Sequence, residues 1–363
     1  VKITTWGLRS GEALYRVGEL MPRPLLNPRA FLAGFALPLM LFFCAPRAAA
    51  SAPAAPLSDK PAVLLVFSAP GEDAYTNAFN RVAQAWAENC KMAGVPLQVF
   101  GADPAATNDL EQLRGWLKDQ PTTGAELWLV FHGHGTFDNR EGKFNLRGPD
   151  LSATELGALL QPFQRPLVVV LGFSSSAAFM GKVAGKDRVV LSATRSGAEV
   201  NYTRFGEHFA DVACRPEGDL DKDGQTSALE AFLMAARRTA EFYSNNGRLM
   251  TEHALVDDNG DGVGTPPDFF KGVRAAKKAA GSKAVDGSRA LQIALLPVES
   301  ERGAPLAWRQ KRDALEMQVE QLRGRKETME RALYYKELEQ VLVQLSHLYA
   351  ELPEPSPREA RAE

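Results

Sequence analysis

Residues 126–136 read Glu126-Leu127-Trp128-Leu129-Val130-Phe131-His132-Gly133-His134-Gly135-Thr136, and this stretch decides the fold. An unbroken apolar run shows neither helical periodicity nor alternation, so Glu126–Phe131 predicts a strand buried on both faces. It stops at two histidines interleaved with glycines, where the backbone can turn sharply. Similar runs flank it: Ala62–Phe67, Pro96–Phe100, Leu167–Leu171 and Arg188–Ala193 are predicted as strands. Between them, Asp73–Ala93 sets Phe79, Val82, Ala83 and Trp86 on one helical face, and Asn108–Leu117 is a second helix. Ser152 caps a third helix through Leu160, with Glu155 three residues on. Asp138-Asn139 and Glu141-Gly142 between Phe137 and Phe144 give a hairpin signal within residues 136–148. Strands alternating with helices predict an α/β fold with a mostly parallel sheet covered on both faces.

The 363 residues, 24% charged and 45% hydrophobic, have ordinary globular composition, which argues against wholesale disorder, collagen-like repetition or a multi-span membrane protein. A net charge of -2 gives no basic excess for binding nucleic acid. The charge is unevenly spread. Six of the 42 basic and two of the 44 acidic side chains lie in the first fifty residues, leaving 36 against 42, a net -6. Arg23 and Arg29 precede the apolar run Ala30–Ala45, and Ala48-Ala49-Ala50-Ser51-Ala52 offers small-residue cleavage sites, the pattern of a secretory signal peptide. Residues 1–52 are therefore read as an extension and signal, with Met21 its natural start and cleavage near residues 50–52. The mature chain is expected to be secreted or periplasmic, with no membrane attachment after cleavage. An uncleaved anchor is the alternative, although the run is shorter than a full span. Residues 51–61 read as a tether.

Past the α/β domain at 61–274, residues 275–290 (Ala, Lys, Gly, Ser) read as a linker and Leu291–Pro297 as an added strand. Within 291–352, residues 306–352 carry two apolar stripes: Leu315, Val319 and Leu322, then Leu338, Leu342, Leu345, Tyr349 and Leu352. Gly324 and the polar stretch to Arg331 predict an antiparallel helical hairpin. The stripe lacks cofactor ligands, so it packs a core or a partner, including a second copy through residues 306–352. The Pro/Glu-rich tail at 353–363 is expected to be disordered.

In a parallel sheet, the strand ending at the histidines and the one ending in Gly172-Phe173-Ser174-Ser175-Ser176 open on the same edge, where sites are built. Histidine can act as general base and serine as nucleophile, with glycine N–H groups facing an oxyanion. The order of elements over residues 61–213 resembles the caspase, legumain and gingipain superfamily of cysteine peptidases (clan CD). Gly133-His134-Gly135-Thr136 looks like that family's histidine turn, which makes His134 a better match than His132, with Gly135 as oxyanion donor. Leu167–Leu171 looks like its nucleophile strand. Counted back from Phe179, Ser174 falls where the catalytic Cys sits, and Ala177 where Gly is usual. Thr194-Arg195-Ser196-Gly197 resembles its pocket loop. The resemblance implies a caspase-like three-layer α/β/α sandwich. A serine hydroxyl needs a closely coupled base where a thiol does not, so the reading is a catalytically inactive homologue acting by binding a protein or peptide. The alternatives are a serine hydrolase using His134 and Ser174, and a scaffold built on the C-terminal helices. Cys90 and Cys214 lie on helices and read as packing residues, with a disulfide between them left open. Zinc at His132 and His134 lacks an evident third ligand.

The strongest motif is Asp219-Leu220-Asp221-Lys222-Asp223-Gly224-Gln225-Thr226-Ser227-Ala228-Leu229-Glu230. It matches the twelve-residue EF-hand calcium loop: Asp219, Asp221 and Asp223 at positions 1, 3 and 5, Gly224 at 6, the Gln225 carbonyl at 7, Ser227 at 9 and Glu230 at 12. Three carboxylates so close together repel without a cation, which makes Ca2+ the expected ligand. The entry, Arg215-Pro216-Glu217-Gly218, breaks the helix that an EF-hand has there. A second loop, residues 257–268, offers Asp257, Asn259, Asp261, the Val263 carbonyl and Asp268. Pro266-Pro267 forbids the helix an EF-hand starts there, and the alternative is a plain turn with Asp258 solvated.

Overall fold

A computed structural model describes residues 59–352; the signal expected at 1–52 and the tail at 353–363 lie outside the described residues. The chain runs β1 (Ala62–Phe67), α1 (Asp73–Ala93), β2 (Leu97–Phe100), α2 (Asp109–Asp119), β3 (Leu127–Gly133), β4 (Gly135–Phe137), β5 (Gly142–Phe144), β6 (Leu151–Ser152) and α3 (Ala153–Leu160). It continues through β7 (Leu167–Phe173), α4 (Ala177–Val183), β8 (Arg188–Ser192), α5 (Phe205–Val212), α6 (Ala228–Asn245) and β9 (Leu255–Asp257). The short pair β10 (Phe270–Lys271) and β11 (Arg274–Ala275) precedes α7 (Ser288–Gln292), α8 (Leu306–Arg325) and α9 (Arg331–Tyr349).

The main sheet has the order β2-β1-β3-β7-β8-β9, parallel except for β9, which runs antiparallel to β8 at one edge. Successive side chains of each strand point to opposite faces. Leu65, Val130, Val170 and Leu191 pack with α1, α5 and α6 through Trp86, Phe209 and Phe232. Leu64, Leu129, Val169 and Val190 pack with α2, α3 and α4 through Leu113, Leu156 and Phe179. Helices on both faces are why the strands are predominantly apolar, and the expected three-layer α/β/α sandwich with a mostly parallel sheet is what forms. Locally, Ser152 caps α3 by accepting from the Glu155 N–H. The Glu155 carboxylate faces away, onto Arg114 of α2 at 2.6 Å.

The C-terminal third departs from expectation. Residues 275–290 are no free linker: Ala279, Ser282 and Asp286 are buried, and the segment folds back onto the loop after β9. No strand forms at 291–297. The stretch ends α7 and then runs extended, with Ile293 and Leu295 in the core beside α6, touching a neighbour as a strand would only at Ala294 and Ser227. Apolar residues needed to cover α6, rather than a sheet edge, explain that run.

The hairpin is antiparallel, since the start of α8 meets the end of α9: the Trp308 indole donates to the Leu348 carbonyl at 2.8 Å, and its ring lies 5.3 Å from Tyr349. Leu315, Val319 and Leu322 are buried, but on α9 the buried residues are Tyr334, Val341 and Leu348. Leu342 is 48% exposed and Tyr349 40%. Helix α9 carries two apolar stripes, and α8 covers one of them. No helix among the described residues is long and apolar enough to cross a membrane.

Candidate functional site

Strand register brings the predicted pair to one edge. His132 pairs with Gly172 and Gly133 with Phe173, so His134 and Ser174 each follow the last paired residue of adjacent parallel strands. The histidine turn is fixed by Ser68, just after β1, whose hydroxyl accepts from the His134 N–H at 2.8 Å and donates to the Ala69 carbonyl. Gly133, at φ +135, is required there: a Cβ would come within 2.1 Å of the Ser68 hydroxyl. At Gly135, a Cβ would come within 2.4 Å of the Ser174 carbonyl, so the two turns are in close contact.

The His134 ring is half-buried between Tyr75 (4.5 Å) and Tyr202 (5.6 Å). Burial holds its pKa below the ordinary histidine value, opposed by the hydrogen bond it donates to the Pro70 carbonyl and by the nearby Glu72 carboxylate. His132 is buried within the sheet, where desolvation, with His134 beside it, pushes its pKa down to about 3. Its Nε2 lies 3.2 Å from the Tyr202 hydroxyl, which donates to Glu207 at 3.0 Å. Nε2 is thus the donor, and the bare Nδ1 is buried without a partner.

Three serines follow β7, and each has a different environment. Ser176 bonds to Ser192 and Thr194 and joins the turn to β8. Ser175 sits at φ +61, donates its N–H to the Glu199 carbonyl, and has a buried hydroxyl without a partner. Ser174 is buried, and among the described residues its side chain makes no hydrogen bond to His134. In the expected pocket loop, Glu199 gathers the Arg195 N–H and the His253 ring. Among the described residues, His132 and His134 find no third metal ligand. Cys90 and Cys214 are buried free thiols, pushed up to about 12, in each case chiefly by burial.

The first acidic loop is the place where, among the described residues, three metal-ligating side chains converge: carboxylate oxygens of Asp219, Asp221 and Asp223 lie within 4.8 Å of one another. Asp219 accepts from the N–H groups of Lys222, Asp223 and Gly224, and Asp223 from that of Gln225. Glu230 closes the loop. One oxygen accepts from the Leu220 and Asp221 N–H groups; the other accepts from Ser227, whose own hydroxyl caps α6. Burial, then the charges of Glu230 and Asp223, raise the Asp221 pKa. This crowded set of hard oxygens fits Ca2+.

The second loop repeats that frame. Asp257 accepts from the N–H groups at positions 4 and 6, Gly260 and Gly262, as Asp219 does from Lys222 and Gly224. Asn259 accepts from Asp261, and Asp261 from Val263. Positions 4 and 6 have positive φ in both loops: Lys222 +66 and Gly224 +92, Gly260 +78 and Gly262 +79. The closing carboxylate differs from expectation. Asp268 is exposed on a short 3-10 turn, because Pro266-Pro267 permits no helix to bring position 12 back. Asp286 stands there instead. It accepts from the N–H groups of Asp258 and Asn259 and from the Thr265 hydroxyl, at positions 2, 3 and 9, the same positions that Glu230 grips. Asp258 is not a free side chain in a plain turn. It is partly buried and accepts from the N–H groups of Gly287, Arg289 and Ala290 at the start of α7.

No family profile matches the chain, and no curated protein does. Solved structures do. The chain is similar to the Drosophila initiator caspase Dronc at 14% identity, over 59% of this chain and 85% of that one, with a TM-score of 0.38. It is similar to caspase-1 from Spodoptera frugiperda at 8% identity, over 58% and 91%, with a TM-score of 0.38. A Geobacter sulfurreducens protein matches at 14% identity, over 49% and 89%, with a TM-score of 0.35.

Proposed function

We propose that the chain is an exported, calcium-binding homologue of caspase-like peptidases that acts by binding a protein or peptide rather than by cleaving it. The observation that carries the reading is the pair of loops with one hydrogen-bond frame, each closed by a carboxylate on positions 2, 3 and 9. Asp219, Asp221, Asp223, the Gln225 carbonyl, Ser227 and Glu230 would hold one ion. Asp257, Asn259, Asp261, the Val263 carbonyl and Asp286 would hold another. Calcium supplies charge neutralisation and cross-linking there, and extracellular calcium is abundant enough to fill sites of this class. The absence of catalysis is supported by the chemistry of Ser174, a buried hydroxyl with no hydrogen bond to His134 among the described residues. Adding calcium after chelation should raise the unfolding temperature of the mature chain, and Asp219→Ala with Glu230→Ala should lower that gain; an unchanged unfolding temperature rejects the calcium reading.

A serine hydrolase is the second reading, favoured by the register that delivers His134 and Ser174 from paired strand ends. A serine-reactive fluorophosphonate separates the two. Labelling that disappears in Ser174→Ala overturns the inactive reading, and labelling absent from the unmodified chain overturns the hydrolase. A self-association role for residues 306–352 is favoured by the uncovered α9 face, where Tyr335, Leu342 and Val343 are exposed.

A further inference from the structure

We propose that calcium at the two loops governs whether the α8–α9 hairpin is held against the α/β domain, through a strip at residues 286–298 that both loops grip. The proposal rests on the calcium reading above. From the first loop, Ser227 pairs with Ala294, the Ala228 N–H donates to the Ile293 carbonyl at 2.7 Å, and the Gln225 side chain accepts from the Val298 N–H at 3.2 Å. From the second loop, Asp258 holds the first turn of α7 through three N–H groups at 2.7–2.8 Å. Asp286, the closing carboxylate, is itself the first residue of the strip.

The other side of the strip holds the hairpin. Arg289 pairs with Asp313 of α8 at 2.9 Å, and the Gln292 amide donates to the Asp313 carbonyl at 2.8 Å. Beyond the strip, Glu301 pairs with Arg312 of α8 and accepts from the Tyr349 hydroxyl of α9 at 2.8 Å. Arg309 with Glu126, at 3.3 Å, ties α8 to the sheet directly.

The loops and the hairpin are coupled by charge. Asp257 and Asp286 are each 1% exposed or less, Asp258 is partly buried beside them, and among the described residues none of the three is paired with Lys, Arg or His. Buried carboxylates without a cation repel. Asp286 is the one that can retreat, because it lies between loops rather than in the sheet, and its retreat carries Gly287–Ala290 and the Arg289–Asp313 pair with it. A divalent cation reverses the sign and draws Asp286 in. An ion that binds the gripped form alone, at about 100 times its Kd, favours that form by about a hundredfold.

Hydrogen exchange of the whole mature chain, in calcium and in EGTA, tests this, with calcium-45 dialysis on the same samples. The expected result is two ions bound and exchange slowed by about a hundredfold per coupled site in residues 286–298 and in the first turns of α8. Ions bound without protection of α8 overturn the coupling and leave the calcium reading standing. No ion bound overturns both. Asp286→Asn should lose one ion and the protection, whereas Asp268→Asn should lose neither. Asp313→Ala, which touches no loop, should keep both ions and lose protection in α8 alone; protection retained in that variant overturns the proposed route.

Discussion

Glu230→Gln probes the first loop with little change in shape. Glu230 receives four hydrogen bonds, from Leu220 and Asp221 on one oxygen at 2.8 and 3.1 Å and from the Ser227 N–H and hydroxyl on the other at 2.9 and 2.8 Å. Glutamine keeps one oxygen for one pair and must aim its NH2 at the other. If it serves Leu220 and Asp221, the Ser227 N–H faces a donor, although the Ser227 hydroxyl can turn to accept. Hydrogen bonds to a charged group contribute about 1.5–3 kcal/mol each, and one to two are lost, so we expect a cost of about 3 kcal/mol without calcium. With a urea slope of about 3 kcal/mol per M, the unfolding midpoint falls by about 1 M. Calcium at about 100 times its Kd adds about 2.7 kcal/mol to the unmodified chain alone, widening the gap to about 2 M. Urea unfolding followed by tryptophan fluorescence, in EGTA and in calcium, reads both numbers. Equal midpoints in EGTA would refute the loop-closing role, and a gap that calcium does not widen would refute the metal role.

Two further predictions follow from other regions. Burial raises the Glu252 pKa to about 7, against hydrogen bonds from the Arg204 and Phe205 N–H groups. The folded carboxyl keeps its proton where the unfolded one has lost it, so its contribution is complete below about pH 4.5 and is lost as pH rises through about 7. Glu252→Gln should lower the pH slope of stability in that window by up to about 1.4 kcal/mol per pH unit, and urea midpoints at pH 5, 6 and 7 with an unchanged slope would assign the proton elsewhere. Leu342→Glu, on the uncovered face of α9, should leave folding intact and shift a self-associated chain to monomer, as read by light scattering; a mass unaffected by the change rejects assembly through that face.

The sheet was legible in the sequence because strands covered on both faces must be largely apolar, and five such runs with helical spacing between them leave few alternatives. The bounds erred where strands run on into their functional ends: β3 continues through His132 and Gly133 and β7 through Gly172 and Phe173, because neighbouring strands pair there whatever the side chain. The first acidic loop was legible because its candidate ligands are local. In the second, the closing carboxylate was not, because Asp286 lies eighteen residues beyond Asp268 and reaches the loop by tertiary folding. A lone aspartate before Gly287, in a stretch otherwise rich in lysine and alanine, was the available signal. The Ser68 hydroxyl that fixes the histidine turn leaves no mark, since serine is common in turns. On α9 the heptad-like stripe was real, but spacing alone does not say which of two apolar faces meets α8.

The function proposed for this chain depends on calcium at two loops, the second closed by Asp286. Equilibrium dialysis of the chain against calcium-45 counts the ions bound. Two ions per chain are expected, one after Asp286→Asn, and none after Asp286→Asn with Glu230→Gln; no ion bound by the unmodified chain, or two retained by the double variant, would overturn calcium binding at these loops.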